Sequence, residues 1–130
     1  MSLFAASLIA WQKLYFQVEL EPADRSALEE RVSAFWRARL TGEAAATHRY
    51  LGGAIAEQYS AEEWSAREGQ VDYLDYEVLS IESERLGRAG VHVKYHWRLK
   101  AEIFADEAPR ETTADEYWEL SDEWLRVGVN

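Results

Sequence analysis

The chain has 130 residues, of which 48% are hydrophobic and 29% charged, and it contains no cysteine. This length fits one domain, and the composition excludes a disordered chain and a multi-span membrane protein. The lack of thiols excludes disulfide frameworks, thiolate zinc sites and cysteine nucleophiles. The formal net charge is −10. Because so acidic a surface repels phosphate groups, we expect neither nucleic acid nor an anionic membrane as a partner.

Residues 1–20 form an unusually apolar segment, since Met1–Gln12 carry no charged side chain. Lys13 and Glu19 interrupt the run before it reaches the roughly 20 apolar residues that a membrane span needs. No basic region precedes it, as a secretory signal would require. We therefore expect an N-terminal apolar helix over 1–20 and a separate folded domain over 21–130. The alternative is the tail of a longer membrane anchor.

The sequence predicts a helix over residues 21–40. Pro22 suits a first helical turn, and Ser26 with Glu29 has the spacing of a capping box. The expected buried stripe follows at helical spacing: Leu28, Val32, Phe35, Trp36 and Leu40.

Two shorter helices are predicted next. The first covers Glu43–Leu51 and ends at Gly52-Gly53, which we interpret as a helix stop. The second opens with another capping-box spacing, Ser60 with Glu63, and runs to Glu68.

The remainder of the chain changes to strand periodicity. Predicted strands cover Val71–Glu82, Val91–Leu99, Thr112–Leu120 and Trp124–Val129, with the strictest alternation in the second. Short turns join them, and such connections require antiparallel pairing. Helices followed by an antiparallel sheet predict an α+β domain.

The two central strands indicate which face of the sheet is buried. The basic residues of the second strand share one face: His92, Lys94, His96, Arg98 and Lys100. On the third strand one face carries Thr113, Asp115, Tyr117 and Glu119, and the other includes Glu116, Trp118 and Leu120. If the strands pair, a basic row lies beside an acidic row. We therefore expect a solvated ladder of opposite charges outside and an apolar face under the helices.

The pattern resembles the nuclear transport factor two-like superfamily over about residues 24–128. The resemblance rests on these motifs: Phe35-Trp36, Leu40-Thr41-Gly42-Glu43, Tyr50-Leu51, Tyr73–Val78, the Val91–Leu99 alternation and Glu116–Leu120 followed by Trp124. It departs from the family at the last turn, where Asp122-Glu123 stands in place of the frequent Asp-Gly. The resemblance implies helices packed on a curved antiparallel sheet that forms a cone around a cavity. The superfamily includes isomerases, cyclases, dehydratases, transport factors and immunity proteins, so the resemblance constrains fold more than function.

Acid–base chemistry in such a pocket has three weak candidates. Glu116 shares a face with Trp118, and a carboxylate in an apolar pocket has a raised pKa and can act as a general base. The alternative, which we favour, is a strand-end carboxylate in water. Asp75 and Tyr76 lie near the open end of the first strand, where the resemblance implies catalytic groups. Since adjacent strand residues face opposite ways, at most one of them points inward.

Five aromatic residues are candidates to line the cavity and bind a flat apolar ligand: Trp36, Tyr50, Tyr95, Trp97 and Trp118. The alternative is a plain aromatic core. We expect no metal site, because His92 and His96 lie about 13 Å apart at strand rise and His48 stands alone on a helix. No glycine-rich phosphate loop appears, and we expect no cofactor.

We therefore expect an uncharacterised, non-catalytic domain that binds a small apolar or aromatic molecule. One alternative is a cofactor-independent isomerase, cyclase or dehydratase that uses a pocket carboxylate. Another is a protein-binding module, either of the immunity type or tethered to a membrane by a longer native N-terminus. We expect a homodimer, for which the apolar face of residues 3–18 is a candidate surface. The arginine- and alanine-rich composition suggests a bacterial genome. We expect a cytoplasmic protein, with an extracytoplasmic location left open.

Overall fold

A computed structural model describes residues 20–130. The predicted apolar helix lies outside the described residues. Four helices come first: α1 (Pro22–Leu40), α2 (Ala44–Thr47), α3 (Gly53–Gln58) and α4 (Ala61–Glu68). Four strands follow: β1 (Val71–Arg85), β2 (Arg88–Leu99), β3 (Arg110–Leu120) and β4 (Trp124–Val129). Single 3-10 turns occupy His48–Tyr50 and Glu102–Phe104.

The strands form one curved antiparallel sheet in the order β1-β2-β3-β4. This arrangement confirms the predicted α+β class. The long helix α1 lies across the inner face of the sheet and contributes the centre of the core. Fully buried side chains from both layers meet there: Leu28, Val32, Phe35, Trp36, Val91, Val93, Trp118 and Trp124. No helix in the part of the chain that the structure describes is long and apolar enough to cross a membrane.

The edge strand β1 is interrupted by register shifts at three points. Its pairing with β2 skips Leu74, Leu79 and Glu84, so an extra residue is inserted at each place. Each insertion resets which side chains point inward and increases the local twist of the strand. The residues that pack on the core therefore follow a spacing of three, two and three: Tyr73, Tyr76, Val78 and Ile81.

The helix starts differ in how well the sequence predicted them. Helix α1 begins at Pro22, after Glu21, which provides no side-chain cap. Ser26 lies inside the helix, so the predicted capping box of Ser26 with Glu29 is wrong. Proline at the first position needs no amide partner and sets the required backbone angle, so the helix starts earlier. The second capping box is confirmed, because Ser60 Oγ accepts from the Glu63 amide at 3.1 Å.

Gly52 does more than end a helix. Its amide donates to the carbonyl of Arg126 at 3.0 Å. A Cβ atom at this position would lie 2.8 Å from the Cβ of Leu125, closer than side chains tolerate. The interpretation of Gly52-Gly53 as a simple stop is therefore wrong. Gly53 starts the unpredicted helix α3 with φ of 59°, and Gly52 lets the helical layer approach β4.

Candidate functional site

Glu116 lies on the inner face of β3 and is completely buried. Its Oε2 accepts from Arg126 Nε at 2.9 Å. Its Oε1 faces two indoles, accepting from Trp36 Nε1 at 3.4 Å and Trp118 Nε1 at 3.3 Å. The favoured expectation of a solvated strand-end carboxylate is wrong, because the alternation of β3 carries this residue under α1 rather than to the sheet margin.

A second buried ion pair lies close to the first. Arg39, on α1, donates from Nε and Nη2 to Glu68 Oε1 at 3.1 and 2.5 Å. The guanidinium also stacks over aromatic rings, with its central carbon 4.7 Å from the ring centroid of Trp36 and 4.6 Å from that of Tyr73. Such cation–π contacts stabilise a charge that burial has removed from water.

Burial and the neighbouring charges shift the pKa values of these buried groups in opposite directions. Burial lowers the pKa of Arg126, and the carboxylate of Glu116 only partly offsets it. Burial also acts to lower the pKa of Arg39, but Tyr73, Glu68 and Glu116 together leave it raised. Burial raises the pKa of the Tyr73 hydroxyl, which therefore stays protonated. Arginine remains charged in proteins, so the network holds two cations against two carboxylates.

This network has little capacity for acid–base chemistry. A general base needs a lone pair that faces a reacting proton. Each oxygen of Glu116 already faces a protein donor, and the residue has no access to solvent. The small cleft beside Arg39 and Glu68 has a volume of about 10 Å³, on the scale of a single water. The geometry supports Glu116 as a structural counter-charge more than as a base.

The other two acid–base candidates lie on opposite faces of β1. Asp75 faces outward, where its Oδ1 lies 2.7 Å from His96 Nδ1. Tyr76 faces inward and stacks on Trp36, with the ring centroids 5.6 Å apart. The structure therefore does not bring them together at one reacting centre.

The five aromatic candidates pack into the protein. Trp36 and Trp118 are fully buried, and Tyr50 is 5% exposed. Tyr95 lies against Trp36 with centroids 4.9 Å apart, and the Trp97 indole donates to Thr112 Oγ1 at 2.9 Å. None of these rings lines the two larger cavities described below. Their placement fits the plain aromatic core that the sequence left as the alternative.

The outer face of the sheet carries the predicted charge ladder. Three basic residues of β2 lie between acids of β1 and β3, namely Arg88, His92 and His96, whereas Lys94 pairs, among residues 20–130, with Glu77 of β1 alone. His96 contacts Asp75 and Glu111, at 2.7 and 3.2 Å, and His92 contacts Asp115. Nearer the hairpin end, Arg88 pairs with Glu84 at 2.8 Å and Glu119 at 3.0 Å. The hydrogen bond from His96 to Asp75 raises the pKa of the imidazole. No group of three or more His, Asp or Glu side chains in residues 20–130 is arranged to hold a metal ion.

Two cavities lie along the line where α1 meets β1, and together we call them the seam groove. Its first section has a volume of about 340 Å³ and is lined by both elements: Arg25, Glu29, Val32, Ser33 and Val78–Ile81. Its second section, of about 160 Å³, lies nearer the start of α1 and is lined by these residues: Leu20, Glu21, Asp24, Ser83, Arg85–Gly87, Leu120 and Trp124.

Sequence reasoning missed the seam groove. The sequence predicts a site inside the cone, and none of its candidate residues lines the space between α1 and β1. The signal available was the pair Val78-Leu79, two consecutive apolar residues that break the alternation of the first strand. Leu79 is 48% exposed at the register shift.

Comparisons with known proteins give a fold and no family. No family model matches the chain, and no curated protein matches it. The solution structure of a SEC-C motif containing protein from Rhodopseudomonas palustris is similar, with a TM-score of 0.62 and 12% sequence identity. The similarity covers 77% of this chain and 74% of that one. At this identity it shows the shared fold alone.

These findings correct the expected membership of the nuclear transport factor two-like superfamily. No family model of that kind matches, and the similar structure is described as a SEC-C motif protein. The motifs behind the resemblance are core aromatics and a strand alternation. Such residues report how helices pack on a sheet, and they do not identify a lineage.

Proposed function

We propose that this domain is a non-catalytic binding module for a small apolar molecule, and that its site is the seam groove. The observation that carries the proposal is the first section of the groove, with about 340 Å³ of space lined by four apolar and four polar residues. This volume is within the range of small-molecule pockets, which begin at about 300 Å³. The site proposed here replaces the cone interior that the sequence favoured.

The titratable groups support a binding role without catalysis. The buried carboxylates of Glu116 and Glu68 are each held by an arginine. In the groove itself, Arg25 pairs with Glu29 at 3.2 Å on the exposed surface of α1. The groove therefore offers shape and apolar contact, and its Arg25–Glu29 pair is already engaged.

The test fills the groove from α1. Ser33 lines it, so Ser33→Phe should occupy the first section with a side chain. Ser26→Phe is the matched control, since Ser26 lies on the same helix, is exposed and does not line the groove. Each protein is titrated with 1-octanol and followed by amide NMR shifts. We expect saturable shifts along α1 and β1 in the wild type and in Ser26→Phe, and their loss in Ser33→Phe.

Two results would contradict this proposal. One is the absence of saturable shifts along α1 and β1 in the wild type. The other is an identical titration of Ser33→Phe and Ser26→Phe. Shifts centred on Trp36 and Trp118 instead would return the site to the cone interior. The homodimer and the bacterial cytoplasmic location remain predictions from the sequence.

A further inference from the structure

Building on the proposed function, we infer that the seam groove selects an amphiphile with a cationic head group. The apolar body would lie in the first section of the groove. The cation would lie in the second section, beside Glu21 and Asp24. The inference rests on the charges that line the groove and on how each is paired.

The arginines of the groove are already neutralised. Arg25 pairs with Glu29 at 3.2 Å, and Arg85 pairs with Glu119 at 3.1 Å. Neither cation is left over for an anionic ligand. A carboxylate or sulfate head group entering the groove would have to compete with an existing ion pair.

The carboxylates near the start of α1 differ from these arginines in their pairing. Glu21 and Asp24 both line the second section, and neither forms an ion pair with any residue of 20–130. The N-terminus of α1 carries about half a positive elementary charge, which two full carboxylates exceed. The uncompensated charge at this end of the groove is therefore negative, and the protein's net charge of −10 adds to it.

The two sections together match the shape of an amphiphile. The second section also has apolar walls, from Leu20, Leu86 and Trp124. The two sections share no lining residue, but they are neighbours along the seam because Asp24 and Arg25 are consecutive on α1, and Ser83 follows Ile81 by two residues on β1. An apolar chain can thus run along the seam while its cation lies beside the two carboxylates.

The experiment compares three probes that share one eight-carbon chain: n-octylammonium, 1-octanol and octanoate. Each is titrated into the full-length protein and followed by amide NMR. We expect octylammonium to bind about fivefold more tightly than octanol, the scale of one exposed ion pair, and octanoate to bind most weakly. Added salt should reduce the difference, because screening acts on exposed charges.

A pair of double variants isolates the effect of the two carboxylates of the second section, Glu21 and Asp24. Glu21→Gln/Asp24→Asn should abolish the preference for octylammonium over octanol. Glu30→Gln/Glu57→Gln changes the net charge by the same amount at exposed helix positions that line neither section. This control should keep the preference, which separates a local effect from the general field of an acidic protein.

The possible failures are distinguishable. If octanol binds along the groove and octylammonium binds no more tightly, the cationic preference is overturned and the proposed function stands. A preference that survives in Glu21→Gln/Asp24→Asn overturns the assignment of the head-group position. If none of the three probes shifts residues of α1 and β1, the proposed function fails, and this inference fails with it.

Discussion

Strand β3 carries acidic side chains on both faces, and the two faces use them differently. Glu116 points inward, has no solvent exposure and is held by Arg126 and two indoles. Its neighbour Asp115 and the nearby Glu119 point outward, where their side chains are 43% and 39% exposed. Both faces pair acids with bases at hydrogen-bonding distance.

The difference shows that burial, more than pairing, decides how strongly a charged side chain affects the stability of the fold. Under the sheet, a carboxylate without its arginine would leave a charge in a region of low dielectric, which is strongly unfavourable. On the outer face, water and salt screen each charge, so the loss of one partner matters little. The inner pairs specify the core, and the outer ladder mainly specifies strand register.

The largest expected effect comes from Glu116→Gln. The substitution keeps the shape of the side chain and leaves the guanidinium of Arg126 buried without a counter-charge. We expect the free energy of unfolding to fall by about 3–5 kcal/mol. Urea unfolding followed by tryptophan fluorescence measures this loss. A loss below about 1 kcal/mol, typical of exposed pairs, would mean that the inner pair is effectively solvated.

The second buried ion pair, Arg39 with Glu68, gives another test of the difference between buried and exposed pairs. Glu68→Met should cost about 3 kcal/mol, because it removes the carboxylate that Arg39 contacts. The double variant Arg39→Met/Glu68→Met removes both charges and fills similar volume. We expect it to be more stable than Glu68→Met alone, since buried pairs are often replaceable by apolar residues. Urea unfolding of the two variants tests this, and additive losses would contradict it.

Glu119→Gln makes the same chemical change on the outer face of the same strand. Glu119 contacts Arg85 and Arg88, at 3.1 and 3.0 Å. Because these contacts are exposed, we expect a loss of at most about 1 kcal/mol. The loss should shrink further in high salt, whereas that of Glu116→Gln should not. A loss equal to that of Glu116→Gln would remove the distinction between the two faces.

The smallest effect is a pH dependence of the outer ladder. The pKa of His96 is raised above its ordinary value of 6.5, chiefly by the hydrogen bond to Asp75. Folding therefore favours the protonated imidazole. Its contribution to stability is complete below pH 6.5 and disappears as the pH rises through the higher folded pKa.

Unfolding measured between about pH 6 and 8.5 checks this sign. The wild type should lose slightly more stability over this range than His96→Gln. Asp75→Asn should flatten the dependence in the same way, because it removes the main cause of the raised pKa. A wild-type slope matching that of both variants would show that His96 titrates normally.

Most of the fold could be predicted because local patterns and burial agree. The stripe from Leu28 to Trp36 indicated the long helix, and the alternation Val91–Leu99 indicated the central strand. The opposite charges of β2 and β3 also predicted the outer ladder correctly, since cross-strand neighbours follow from period two alone. Helix α3 was missed because glycine signals a stop, whereas here Gly52 permits close contact with Leu125.

The site could not be predicted to the same extent. Burial of Glu116 depends on Arg126, ten residues later, and on Trp36, eighty residues earlier in the chain. Sequence alone does not reveal that these three groups converge. The seam groove depends on where β1 departs from regular pairing, and a register shift is a property of two strands rather than of one segment.

Those departures from regular pairing also affect how the protein behaves at high concentration. An edge strand exposes a row of free amide and carbonyl groups, which can recruit a strand from another molecule. In β1 the extra residues Leu74, Leu79 and Glu84 break this row into short pieces that do not match a flat partner. The same irregularities that open the groove therefore work against amyloid-like association along this edge.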